Sequence, residues 1–154
     1  MTTPRIESIA DNLKTSIAEI TEAKEFNQTL IAVRPSRSDI AKSNFDDLTA
    51  LINQVEAAEL KQGIGTKRWQ QFFLIVVLLR DSDTDENPID TRRNQVRADI
   101  EKKLAEDLTR GGFANDTNFH ESTQWDEDEG GLGGITLKIS VDYATKEDDP
   151  YTGR

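Results

Sequence analysis

Along the first segment, PRIESIADNLKTSIAEI, apolar residues return at Ile6, Ile9, Ala10, Leu13, Ile17 and Ile20. Steps of mostly three and four residues put them on one stripe of a helix and leave Glu7, Asp11, Lys14 and Glu19 to solvent. Pro4 suits the start of such a helix, and Thr3 is expected to cap ahead of it. After a polar break at Glu25 to Gln28, TLIAVRP is β-branched and apolar and stops at Pro35, which predicts a short strand. The stretch PSRSDIAKSNFDD is turn-rich and reads as a loop. In LTALINQVEAAELKQGIGTKRW two preferences compete, because the Glu, Ala and Lys of VEAAELKQ favour helix while LTALINQV extends. A strand is expected, followed by an excursion that ends at Gly63-Ile64-Gly65. WQQFFLIVVLL is aromatic, β-branched and short, the pattern of a strand covered on both faces.

Pro88 opens a second helical pattern in which Ile89, Val96, Ile100, Leu104 and Leu108 share a face, stopped by Gly111-Gly112. Arg92, Arg93, Arg97, Lys102 and Lys103 fall mostly off that face. FHESTQW and GITLKISVDYATK, separated by DEDEGGLGG, indicate a hairpin. In its second strand Ile135, Leu137, Ile139, Val141 and Tyr143 alternate with Thr136, Lys138, Ser140 and Asp142, so one face is buried and one wet. KEDDPYTGR has no periodicity and is expected to be mobile, or to order on a partner through Asp148, Asp149, Pro150 and Tyr151. The order α, β, β, β, α, β, β predicts one α+β domain over residues 1–146, with a flexible acidic tail over 147–154. Its architecture is a mainly antiparallel sheet of about five strands with two helices packed on one face.

That architecture leaves a packing problem. Phe72, Leu74, Val76 and Leu78 point one way from the third strand, and Phe73, Ile75, Val77 and Leu79 point the other. Two helices on one face cannot cover both sets, and each side chain left in water forgoes about 1.5 to 3 kcal/mol. Phe72, Leu74, Val76 and Leu78 are therefore candidates for a subunit interface, with cover by the chain's own loop and C-terminal hairpin as the alternative.

Composition narrows the function classes. Of 154 residues 35% are hydrophobic and 31% charged, with 19 Lys and Arg against 29 Asp and Glu, a formal charge of −10. A surface of that sign repels phosphate, which disfavours tight nucleic-acid binding without excluding a protein that DNA passes without being held. No apolar run approaches the roughly 18 residues needed to cross a bilayer, and Met1-Thr2-Thr3-Pro4 lacks a basic segment leading into an apolar one. A soluble protein made in the cytoplasm, with no membrane partner, is expected. There is no cysteine, hence no disulfide, thiolate nucleophile or thiolate metal site, and imidazole chemistry is limited to His120.

Candidate chemistry is sparse. DSDTDENP places Asp81, Asp83 and Asp85 at alternate positions, as a calcium loop would, but Glu86 stands where such a loop needs glycine and Arg92 where it needs a bidentate glutamate. A solvated acidic connection before a helix N-terminus fits better. Asp126, Glu127, Asp128 and Glu129 sit at the hairpin, where nothing encloses them to separate their pKa values, so a charged edge is expected. His120 with Ser122 and a nearby Asp lacks the surroundings of a nucleophile set. Gly63-Ile64-Gly65-Thr66-Lys67 lacks the spacing of a phosphate loop and predicts a tight turn, and Gly130-Gly131-Leu132-Gly133-Gly134 a flexible hairpin tip. Trp69 and Trp125 are expected in the core or at an interface. No catalytic residue, metal ligand or cofactor is nominated. The rival class is an acidic metal-binding module, either a metal-dependent enzyme or a calcium-binding domain built on the acidic clusters, and a bacterial adaptor domain of the same fold would form a dimer.

In order, PRIESIADNLKTSIAEI, TLIAVRP, FFLIVVLL, NQVRADIEKKLAEDLTRGGF and GGITLKISVDYATKEDDPYTGR resemble the tail terminator and tail-completion proteins of long-tailed bacteriophages. The ending is the most suggestive part: a strand with Tyr143 near its end, the acidic run Glu147 to Asp149, then Pro150 and Tyr151. The likeness spans nearly the whole chain and lies in a pattern of elements, not in catalytic residues. It implies a non-enzymatic structural protein of the virion tail-neck junction, assembled in the host cytoplasm. Such a protein typically forms a hexameric ring that caps the tail tube protein and meets the head-tail connector protein. The acidic residues at 81–86 and 126–129 would then lie near a rim or channel through which DNA passes without specific binding. A head-completion or connector adaptor is the alternative within the same machinery.

Overall fold

The first apolar stripe forms helix α1 (Arg5–Ala18) in a computed structural model, which describes residues 2–35, 45–60, 63–80, 88–126 and 132–153. Ile9, Ala10, Leu13 and Ile17 are its buried face. Thr3 is not its cap. Pro4 takes that position, with no side-chain cap bond, and its carbonyl accepts from the amides of Glu7 at 2.9 Å and Ser8 at 3.3 Å. A single 3-10 turn (Glu22–Lys24) leads on to strand β1 (Ile31–Val33). β1 lies parallel to β2 (Thr49–Glu59), from Ile31 beside Thr49 to Val33 beside Leu51.

β2 settles the competition between helix and strand at VEAAE. Its second half pairs with β3 (Thr66–Arg80), Ala57 beside Gln71 and Glu59 beside Trp69, after a bulge between Gln54 and Ala57. Neighbouring backbone thus overrides a helix preference of at most about 0.7 kcal/mol per residue. The connection is the tight turn expected at Gly63 to Thr66, where Gly65 takes a φ of +72°. β3 is the middle of the sheet. β5 (Leu132–Lys146) runs antiparallel to its whole length, β4 (Asp116–Asp126) pairs with the far side of β5, and helix α2 (Ile89–Ala105) joins β3 to β4. The order across the sheet is β1-β2-β3-β5-β4. Among the described residues only the β1 pair is parallel, so the sheet is mixed and mostly antiparallel, with both helices on one face: an α+β fold.

The tail departs from expectation. Asp149–Gly153 form a sixth strand, β6, paired with β5 at Thr145 and Lys146, past the point where β4 has left it. The Asp149 carboxylate accepts from the Tyr151 amide at 3.0 Å and the Thr152 hydroxyl at 2.6 Å. The Thr152 hydroxyl, then the Tyr151 amide, hold that carboxyl below its usual range. Asp149, Pro150 and Tyr151 are thus placed against β5.

The core lies between the helices and one side of the sheet. Phe73, Ile75, Val77 and Leu79 of β3 are fully buried there, with Ile135, Leu137, Ile139 and Val141 of β5 beside them. Val96, Ile100 and Leu104 bring α2 onto the same layer. Two expectations for this helix are corrected. Leu108 is 42% exposed because the helix ends at Ala105. There the Asp107 carboxylate takes the Thr109 amide and hydroxyl and the Gly111 amide, while Arg110, with a φ of +50°, folds its buried guanidinium back onto the carbonyls of Leu104 and Asp107. A cation on the last carbonyls closes a helix end as a cap does. The second concerns Arg92 and Arg93, which fall off the apolar face yet are buried, 4% and 3% exposed. Arg92 reaches Asp47 at 2.7 Å and the Arg80 carbonyl at 3.2 Å, and Arg93 reaches the carbonyls of Gly134 at 3.0 Å and Trp125 at 2.7 Å. α2 is pinned to the sheet by apolar contact at its C-terminal half and by guanidinium groups at its N-terminal half.

Gly133 and Gly134 belong to β5 and are buried, not to a flexible tip. Trp125 pairs with Gly134, and a Cβ on that glycine would run into the Val77 carbonyl oxygen and the Trp125 ring. Here glycine permits close approach of strand and indole. Among the described residues no helix is long and apolar enough to cross a membrane.

Candidate functional site

On the side of the sheet away from the helices, β3 presents Phe72, Leu74, Val76 and Leu78. Leu78 is fully buried, clustered with Leu51 and Leu132 under Val33, Phe45, Val76 and Trp125. The chain's own edges close that end of the face, so Leu78 is out of a partner's reach. Phe72, Leu74 and Val76 remain half-buried. Their cross-strand neighbours are Leu51 and Asn53 on β2 and Thr136, Lys138 and Ser140 on β5. An apolar strip with polar margins results. Lys138 crosses it, its Nζ 4.8 Å from the Phe72 ring centre and 3.6 Å from the Glu56 carboxylate. A cation over an aromatic face shields that ring from water on one side without burying it.

His120 lies at the same margin, in the bulge of β4 between Phe119 and Glu121, its ring centre 5.2 Å from that of Phe72. Its Nε2 is 2.6 Å from the Ser140 hydroxyl, which also receives Gln70 Nε2 at 3.4 Å. The serine brought to the imidazole is thus Ser140 and not Ser122. Ser140 is 0% exposed, so its oxygen holds β4 to β5 and has no room for an incoming carbonyl carbon. Asp142, two residues along, faces Asp116 directly across the ladder. Burial, and then the Asp116 charge, raise its carboxyl above the usual range against the pull of Arg68 and His120. Its Oδ1 is buried without a hydrogen-bond partner among the described residues.

A carboxyl whose folded pKa is raised binds its proton more tightly in the folded state. Its contribution is fully favourable below the unfolded pKa and declines as pH rises through the carboxylate range. Asp142→Asn should therefore stabilise the chain at pH 7, by about 0.5 kcal/mol from relief of the cross-strand repulsion. That advantage should vanish at about pH 3, where model carboxylates are mostly protonated. Thermal melts at the two pH values check the sign.

Of the acidic candidates for a rim or channel, only Asp126 lies within the described residues; Asp81, Asp83, Asp85, Glu86, Glu127, Asp128 and Glu129 lie outside them. Asp126 is 73% exposed and ion-paired with Arg93. Asp148 sits in the turn before β6, and Tyr151 is 46% exposed.

Sequence reasoning missed a second surface, the two edges of the sheet. Among the described residues β1 covers only Thr49 to Leu51 of β2, and Pro35, two residues after Val33, has no amide to donate. Residues 53–59 of β2 beyond it are half-buried to exposed. β4 is the last strand on the other side and is exposed from Phe119 to Gln124. Pro35 closing a short apolar run was the available signal for the first edge; strand order, which one sequence does not carry, was needed for the second. Compared with known proteins, the chain matches no family model and no curated protein.

Proposed function

We propose that this chain is a non-enzymatic structural subunit of a bacteriophage tail-neck junction, assembling as a ring, six-fold in the family it resembles, that caps the tail tube and meets the head-side connector. The observation that carries this reading is a sheet that, among the described residues, has helices on one face only and keeps Phe72, Leu74 and Val76 of the other half in water. Such a strip favours protein neighbours, since covering it removes apolar area from water at about 25 cal/mol per Å². The order from α1 to β5 is the one expected from the sequence, with β6 added, and the formal charge of −10 suits a wall that DNA slides past. Ser140, whose hydroxyl meets His120, is closed to substrate, which supports a structural role over a hydrolytic one.

Leu74→Glu tests the strip. Because Leu74 is half-buried, the variant should lose only about 1 kcal/mol of folding stability. Sedimentation with purified tail tubes, which the wild type should join, should show the variant left in the supernatant. A wild-type protein that sediments with neither tail tubes nor connectors would overturn the proposal, and one that joins filled heads but not free tails would move it to the head-side adaptor.

A further inference from the structure

We infer that the C-terminal strand β6 is a strap that opens as a unit while the rest of the fold stays closed, and that the Arg5 guanidinium is its clasp. The device is independent of the ring proposed above.

Little ties β6 to the sheet. Among the described residues it pairs with β5 at Thr145 and Lys146, with a register shift between them, and Pro150, Tyr151 and Thr152 are exposed. Pro150 has no amide to give to a ladder. The Asp149 carboxylate directs its bonds to the Tyr151 amide and the Thr152 hydroxyl, inside the strap itself. Segments with few buried contacts and exposed backbone bonds open well below the global unfolding free energy. β3 occupies the other side of β5 as far as Lys146, and β4 ends at Asp116 beside Asp142, so opening β6 bares the pairing positions of Thr145 and Lys146.

The far end of the strap is held differently. A Cβ on Gly153 would overlap the Arg5 Cζ and Nη1, so the guanidinium lies directly against that glycine. The same guanidinium donates from Nε to the Phe113 carbonyl at 2.7 Å and from Nη2 to the Gly112 carbonyl at 3.1 Å, with Cζ 5.8 Å from the centre of the Phe113 ring. The turn that presents those carbonyls is itself tied down. The amides of Gly112 and Ala114 both donate to the Thr109 carbonyl, at 3.1 and 2.8 Å, and Asp107 takes the Gly111 amide at 2.7 Å. One side chain thus joins the start of α1, the 112–113 turn and the end of β6.

Helix electrostatics do not account for this placement. Arg5 is the first residue of α1, where the macrodipole disfavours a cation, and among the described residues no carboxylate pairs with it. Carbonyl oxygens and an aromatic face supply the negative side that the guanidinium meets there. Glycine at 153 leaves the space that the clasp fills.

Hydrogen exchange of the full-length protein, read by mass spectrometry on peptides covering residues 145–153 and β3, tests the device. In the wild type the amides of 145–153 should exchange well ahead of those of Phe73 to Leu79, at a rate that low urea leaves unchanged because the opening exposes little surface. Arg5→Ala removes the clasp. Gly153→Ala displaces it, since the atoms its methyl meets are the end of a flexible side chain. Each should speed exchange in 145–153 about fivefold, as loss of solvent-exposed hydrogen bonds does, and leave β3 unchanged. The double variant should do no more than either alone, as expected of two residues in one contact. Circular dichroism should show native folding, and Arg5→Gln repeats the measurement should Arg5→Ala unfold the chain. Exchange of 145–153 at the rate of β3 would overturn the strap. Effects that spread equally to β3, or that add in the double variant, would overturn Arg5 as its clasp.

Discussion

Arg93→Ala should lower the free energy of unfolding by about 3 kcal/mol, read as a fall in the urea midpoint at unchanged slope. Its ion pairs are not the reason. Asp90 and Asp126 are 74% and 73% exposed, and pairs with such carboxylates contribute about 1 kcal/mol at most. The larger loss comes from the carbonyls of Gly134 and Trp125, which receive the guanidinium at 3.0 and 2.7 Å beside a side chain only 4% exposed. Truncation leaves those oxygens without their donor and opens a cavity under the N-terminal half of α2. Asp126→Asn, which keeps the guanidinium in place, should cost less than about 1 kcal/mol. Equal losses in the two variants would show that the ion pair, not the carbonyl clasp, holds the helix.

Gly134→Ala, one step along the same junction, should cost a similar amount, about 3 kcal/mol at the upper end of overpacking penalties. The obstacles are the Val77 carbonyl and the Trp125 indole, of which the first is backbone in the central strand and cannot move aside alone. In a chain of this size that loss corresponds to a drop in melting temperature of about 6 to 12 °C. Gly133→Ala is the comparison. Its added carbon would meet the Ile89 Cδ1 at 2.9 Å and the Arg93 Nη2 at 3.0 Å, side-chain atoms and not backbone of the central strand, so its melting temperature should fall less. A Gly134→Ala protein that melts with the wild type would mean that β5 and Trp125 do not approach as closely as described.

These two residues also mark where the sequence was silent. Period-two alternation in GITLKISVDY and the apolar density of FFLIVVLL carry their own geometry, and both strands and their buried faces follow from them. Helical spacing did the same for α1. Arg92 and Arg93 could not be placed this way, because polarity says that a guanidinium avoids a core, while only tertiary structure shows which carbonyls wait for it. Gly133 and Gly134 sat in a run that composition assigns to a loop; the indole that requires them lies across the ladder. The tail lacks periodicity, yet two hydrogen bonds to Asp149 and a short ladder to β5 suffice to place it. Of the candidate interface, Phe72, Leu74 and Val76 are half-exposed where strand alternation put them. Leu78 is not, since the fold of Phe45 and Trp125 over it depends on segments with no local signal.

The ring is the claim on which the functional account stands, and light scattering of the purified wild-type chain across a range of concentrations tests it most directly. The account predicts a single closed species of constant mass, six times the 17.3 kDa chain for the symmetry the resemblance implies, persisting on dilution. A mass equal to one chain at every concentration would contradict it.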